Sequence, residues 1–278
     1  MFEFSRSRVQ PYRVPDAYGG SVTSLRIVSY NVLYGSEQQQ RPWSQRRYPM
    51  IELVRGLAPD VIGLQEALDH QLAELHVGIG DRYALLAEHR SDGGHEENSA
   101  LFYDTRSLEA VAVTHRWLSL TPQVPGSRSW GTHFPRMFTR ARFRHTDGGT
   151  LTVITTHFDH EVPQARVRSA ELVVGEVASL DRTEPVVVMG DFNAEIGSEP
   201  YRVLTGSGLR DSLVVADDAG PLVGTFTEFA PPTVGGPRID WILVNDQVGV
   251  ASARVVDIAP GGHYPSDHLP VEAVITVR

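Results

Sequence analysis

Four carboxylates, two histidines and two amides share one kind of position in this sequence. Each stands at the end or the beginning of a short run of apolar and β-branched residues. Asn31 closes LRIVSYN, Glu66 follows VIGLQ, and His157 ends TLTVITTH. Asp191 and Asn193 close PVVVMGDFN, Asp240 lies in RIDWILV, and Asp267 and His268 immediately precede LPVEAVITV. Side chains at the ends of rigid strands can meet at one edge of a sheet, where chemistry is best positioned. Carboxylates and amides suit a hard divalent cation, and Asp and His suit general acid–base work.

Taken singly, each residue has an ordinary explanation. An asparagine after a strand is commonly a turn former. Glu66 could be a strand end meeting solvent, Asp191 after Gly190 fits an Asx-turn or helix cap, and Ser266-Asp267-His268 could be a capped loop. Their order and company carry more information than any one of them.

The elements that must position them follow from periodicity. Strands are predicted at 25–32, 60–67, 82–88, 99–103 and 109–117, then at 136–145 and 150–160 around the Asp147-Gly148-Gly149 turn. Further strands are predicted at 185–193, 238–244, 251–258 and 269–277. Helices are predicted over 44–57, with Met50, Ile51, Val54 and Leu57 on one stripe, over 67–79, over 163–180 and near 198–206. Ala58-Pro59 ends the first helix. Residues 1–24 show no sustained period and read as an N-terminal arm; 25–278 read as a single domain without a linker or repeat. Many strands with a few intervening helices predict an α/β or α+β sandwich.

Composition narrows the chemistry. The 278 residues contain no cysteine, so disulfides, thiolate zinc sites and cysteine nucleophiles are excluded. All 25 basic residues are arginine, which excludes a P-loop lysine or a Schiff base. The net charge of −9 disfavours broad DNA binding without excluding a local arginine groove. No apolar run approaches the ~18 residues of a membrane span. Met1–Gln10 carries no continuous apolar stretch, so no secretory leader is expected and the cytoplasm is the expected location.

The motifs SYNVLYG (29–35), VIGLQEA (61–67), ALFYD (100–104), TTHFDH (155–160), VVVMGDFNA (186–194), RIDWILV (238–244) and SDHLPV (266–271) occur in one order over residues 25–277. Together they resemble the endonuclease/exonuclease/phosphatase superfamily of deoxyribonuclease I-like fold, and most of all its bacterial metal-dependent hydrolases. The resemblance implies a four-layer α-β-β-α sandwich of two packed, mostly antiparallel sheets with outer helices. It implies hydrolysis of a phosphate ester by in-line attack of an activated water, dependent on Mg²⁺ (or Mn²⁺). It further implies that Glu66, Asp267 and Asn31 serve the metal. Asp191 would align or deprotonate water, Asn193, His157 and His268 would contact phosphate, and Asp240 would hold the His268 ring. Abasic-site endonucleases commonly carry an acidic residue where this chain has Leu33, a departure from a DNA-repair role.

Arg136 falls where the family often has an arginine entering a central strand; it fits either substrate phosphate or a structural ion pair. His160 and Glu97 are candidate supporting groups. The Pro/Gly-rich stretches 119–136 and 219–238 lead into motif strands and carry Trp130, His133, Phe134, Phe226 and Phe229, which could wall a substrate mouth or simply pack the loops down. The expected substrate is a small or flexible organic phosphate, cleaved as a phosphodiester or monoester by a monomer. A nuclease on DNA or RNA is the alternative, and a catalytically silent binding module on the same fold is a third reading.

Overall fold

The computed structural model describes residues 23–92 and 97–277. The arm expected over 1–24 lies outside the described residues, except that Thr23 and Ser24 already belong to the first strand. In chain order the elements are β1 (Thr23–Asn31), α1 (Trp43–Leu57), β2 (Val61–Ala67), α2 (Asp69–Ile79), β3 (Tyr83–Leu86), β4 (Asn98–Asp104), β5 (Leu108–Trp117), β6 (Met137–His145), β7 (Thr150–His157) and α3 (Pro163–Ala178). There follow β8 (Val186–Asp191), α4 (Glu199–Gly206), β9 (Arg210–Asp211), α5 (Ser212–Val215), β10 (Asp218–Ala219), β11 (Asp240–Val244), β12 (Gly249–Val255) and β13 (Val271–Val277).

The strands form two sheets. One has seven strands in the order β10-β12-β13-β1-β2-β4-β3; the other has six in the order β5-β6-β7-β8-β11-β9. Pairing is mostly antiparallel, with β1·β2, β7·β8 and β10·β12 parallel. The α-β-β-α layering predicted from the motifs is the one observed.

Three apolar clusters explain the layering. Leu25 and Ile27 of β1 face Val187 and Met189 of β8 in the core between the sheets. Val28 and Tyr30, on the opposite face of β1, pack with Met50, Leu53, Val54 and Leu57 of α1. Val186 and Val188 of β8 pack with Ala170 and Val173 of α3 and Leu204 of α4. Alternate residues of one strand therefore enter two different cores, which is why β1 and β8 read as nearly continuous apolar runs. Each fully buried Val or Leu contributes about 1.5–3 kcal/mol. In α1 the buried stripe takes Leu53 in place of the expected Ile51, which is half-buried. Ala58 caps the helix in the left-handed region, with Pro59 next.

Register then brings the motif residues to one edge. Parallel pairing sets Asn31 beside Gln65 and His157 beside Asp191. Antiparallel pairing sets Asp240 opposite Asp191. β13 runs antiparallel to β1, with Ser29 opposite Val271, so the residues just before β13 arrive where β1 ends. Gly190 permits the close approach of β8 to β7, because a Cβ there would lie 2.0 Å from the Thr156 carbonyl oxygen.

Candidate active site

All nine singled-out residues come to one end of the sandwich, most of them around a cleft of about 550 Å³. That volume is of the size that encloses a small ligand. Glu66, Arg136, His157, Asp191, Asn193, Asp267 and His268 line it directly. Asn31 and Asp240 stand fully buried behind it, each bonded to a lining residue.

The centre is a line of three groups. Asp240 Oδ2 lies 2.9 Å from His268 Nδ1, and His268 Nε2 lies 3.8 Å from Asp191 Oδ2. Burial alone would lower the His268 pKa, but the charge and hydrogen bond of Asp240 overcome it and raise it to about 10. The ring is therefore an imidazolium at neutral pH, with Nδ1–H donating to Asp240 and Nε2–H directed to the cleft. Asp191 is raised to about 7, first by burial and next by the charge of Asp240. Its carboxylate is held at both oxygens: the Asn193 backbone N–H donates to Oδ1 at 2.8 Å, and Asn31 Nδ2 donates to Oδ2 at 2.9 Å.

Asn31 Nδ2 also donates to Glu66 Oε1 at 2.9 Å, so one amide joins the two carboxylates. Glu66 sits in an irregularity of the β2·β4 pairing with φ 64°, which aims it into the cleft while Gln65 crosses to Thr155 of the other sheet. Leu33 and Asn193 are also left-handed, at φ 54° and 48°. Such conformations cost about 1–3 kcal/mol each and persist only where neighbours over-determine them. The Tyr34 backbone N–H donates to Glu66 Oε2 at 3.1 Å.

Among the described residues, ligand atoms of Glu66, His157 and Asp191 lie within 4.8 Å of one another. Asp267 is outside that group but lines the same cleft. Its pKa is raised, first by burial and also by the charge of Glu66. Half-buried carboxylates that repel each other, with no thiolate nearby, fit a hard divalent cation. Asn31 presents its amide nitrogen to Glu66 and Asp191 and its oxygen to the Leu33 N–H, so it supports the carboxylates rather than offering a ligand oxygen. Asp191, Asp240 and His268 also cluster, but the protonated, hydrogen-bonded ring offers no ligand lone pair.

His157 differs from its expected use. Asn193 Nδ2 donates to the Phe158 carbonyl at 3.0 Å and to His157 Nε2 at 3.0 Å. Its pKa is held well below the ordinary histidine value by burial and by the charges of Arg136 and Arg90. The ring is neutral, its proton is on Nδ1, and Nε2 is an acceptor. A phosphate oxygen reaching Asn193 must displace one of that amide's existing bonds.

Arg136 is buried, donates from Nη2 to His160 Nδ1 at 2.8 Å, and has Nε 3.8 Å from Asp159 Oδ2. Its Nε and Nη1 have no hydrogen-bond partner among the described residues. Arg90, which belongs to no sequence motif, lines the cleft, donates to Glu97 Oε2 at 2.6 Å and lies 4.7 Å over the Phe134 ring. Of the five loop aromatics, Phe134 and Phe226 line the cleft; Trp130, His133 and Phe229 do not. Arg41 covers the Phe229 ring at 4.5 Å, a packing role. Glu97, His160, Tyr34 and Ile239 complete the lining, of which Glu97 and His160 were the candidate supporting groups.

Residues 28–268 match the endonuclease/exonuclease/phosphatase family. A structure of a family protein from Bacteroides thetaiotaomicron superposes with a TM-score of 0.86 at 31% identity, over 93% of this chain and 100% of that one. A mannosyl-6-phosphatase from the same organism superposes with a TM-score of 0.84 at 30% identity, over 90% and 99% of the two chains. Protein angel of Drosophila melanogaster is 25% identical over 80% of this chain and 67% of its own length.

Proposed function

The chain belongs to the endonuclease/exonuclease/phosphatase family, and from that premise we propose that it is a metal-dependent phosphohydrolase acting on a phosphate ester of a small polar alcohol, in first place a sugar phosphate. The Asp240–His268–Asp191 line carries the proposal, because it puts a fixed cationic donor and a carboxylate of raised pKa on one cleft. The likeness to the mannosyl-6-phosphatase supports a phosphorylated sugar, and the cleft of about 550 Å³ supports a small substrate. No described helix is long and apolar enough to cross a membrane.

Glu66 and Asp267, with Asn31 beside them, would hold Mg²⁺ or Mn²⁺, which supplies Lewis-acid charge to offset that of the phosphoryl group. Asp191, ionised, accepts a proton from the attacking water. Two hydrogen bonds fix its carboxylate plane, so the water is aligned before substrate arrives. His268 Nε2–H donates to a phosphoryl oxygen as charge develops there. Asp240 keeps the ring charged and oriented. The unpartnered Nη1 of Arg136 supports its role as a second phosphate contact.

The test is a screen of purified protein with Mg²⁺ or Mn²⁺ against phosphomonoesters, including hexose phosphates, phosphodiesters and single-stranded oligonucleotides. Metal-restored hydrolysis of the monoesters is expected. Preference for oligonucleotides with affinity falling steeply in salt would replace the proposal by a nuclease, since polyanion contacts release counterions. No hydrolysis with any metal would favour a silent binding module.

A further inference from the structure

Arg46 lies in the first turn of α1, is 2% exposed, and is assigned to no part of the reaction above. All five of its N–H donors go to backbone carbonyls. Nη1 donates to Val32 O at 2.7 Å and to Pro265 O at 3.0 Å. Nη2 donates to Leu33 O at 3.0 Å and Tyr34 O at 3.3 Å, and Nε to Arg41 O at 2.8 Å. Arg46 and Pro265 lie 219 residues apart in sequence. Of the two loops so joined, one follows Asn31 and presents the Tyr34 N–H to Glu66; the other leads into Ser266 and Asp267.

We infer that Arg46 is a positioning residue that sets divalent-cation affinity, by clamping the Val32–Tyr34 loop to Pro265 so that Glu66 and Asp267 address one ion; this rests on the metal reading above. Three features support it. Leu33 is held at a φ of 54°, a conformation that needs external restraint, and its carbonyl takes bonds from both Arg46 and Gln71 Nε2. Besides Arg46, the end of β1 is tied to the Pro265–Asp267 segment by the bond from Ser266 Oγ to Asn31 O at 2.7 Å. A guanidinium fork matches several fixed acceptors at once, and an ammonium does not. Burying a guanidinium is costly, and the nearby charges of Asp267 and Glu66 offset part of that cost.

Arg46→Lys tests this. Binding of Mn²⁺ alone would be followed by the paramagnetic resonance of the free ion, without substrate or turnover. Weakening by about tenfold or more is expected, the usual effect of losing a group that orients ligands. Leu53→Ala, in the apolar stripe of the same helix and away from the cleft, serves as a control that lowers the melting temperature and leaves Mn²⁺ affinity unchanged. Wild-type affinity in Arg46→Lys overturns the inference, whatever its melting temperature. Equal weakening in Leu53→Ala at matched loss of stability also overturns it. A wild-type protein that binds no Mn²⁺ overturns the metal reading, and the inference with it. Should Arg46→Lys fail to fold, amide exchange of the wild type decides. On adding Mn²⁺, residues 32–34, 266–267 and the first turn of α1 should slow together, and an unchanged first turn overturns the clamp.

Discussion

Asp191 and Asp240 face each other as register partners on β8 and β11, and His268 bridges the pair, 2.9 Å from one and 3.8 Å from the other. Two buried carboxylates so placed would repel strongly, and the imidazolium relieves both. The charge state of the ring and that of Asp191 are therefore linked, and Asp240 acts on both.

The pH dependence of kcat/KM should follow from this. Asp191 must be ionised and His268 protonated, so activity should rise through about pH 7 and fall through about pH 10. Asp240→Asn removes the charge that raises both groups. Burial then lowers His268, so the alkaline limb should move to acid by several pH units, and the acid limb should move the same way. An unmoved alkaline limb would exclude His268 as its source. Combined with His268→Ala, the Asp240→Asn loss should be strongly non-additive.

Asp191→Asn should lower turnover by about 10²-fold or more, as for a lost base. It should also stabilise the protein in chelator. A carboxylate with a raised pKa binds more protons folded than unfolded, so stability falls as pH rises from the ordinary carboxylate value to about 7. The uncharged amide escapes that loss, and thermal melts at pH 8 should show a higher midpoint than the wild type.

Gly190→Ala should destabilise by at least about 3 kcal/mol, as in severe overpacking. The added Cβ meets backbone, the Thr156 carbonyl at 2.0 Å, and not a side chain that can swing away. Denaturant midpoints would measure it, and wild-type stability would contradict the close β7·β8 approach.

Phe134→Ala should alter the ranking of substrates, because the ring lines the cleft under Arg90 and stacks on His160 with centroids 6.3 Å apart. Trp130→Ala and Phe229→Ala should leave the ranking unchanged. Relative kcat/KM over a set of phosphomonoesters separates the two outcomes.

The strand ends were legible because β1, β2, β7 and β8 are buried on both faces and end abruptly in polar residues. The line from Asp240 to His268 was legible through family resemblance, not through spacing. Arg46, Gln71 and Arg90 were not legible. Arg46 and Gln71 bond chiefly to backbone carbonyls or amides, which leave no trace in residue types. In a helical pattern Arg46 looks like any solvent-facing arginine. The neutral state of His157 was also hidden, since it depends on burial and on the charges of Arg136 and Arg90, which only the fold brings near.

The bond from Asn31 Nδ2 to Asp191 Oδ2 joins the two sheets across 160 residues of chain. Neither β1-α1-β2 nor β7-α3-β8 owns a complete reaction centre: the first brings Asn31 and Glu66, the second His157 and Asp191, and Asp240, Asp267 and His268 come from the chain beyond, so the parts meet only when the sandwich has closed. Contacts so distant in sequence form late. During refolding, circular dichroism should therefore recover ahead of turnover, and the delay between them times the docking of one sheet on the other.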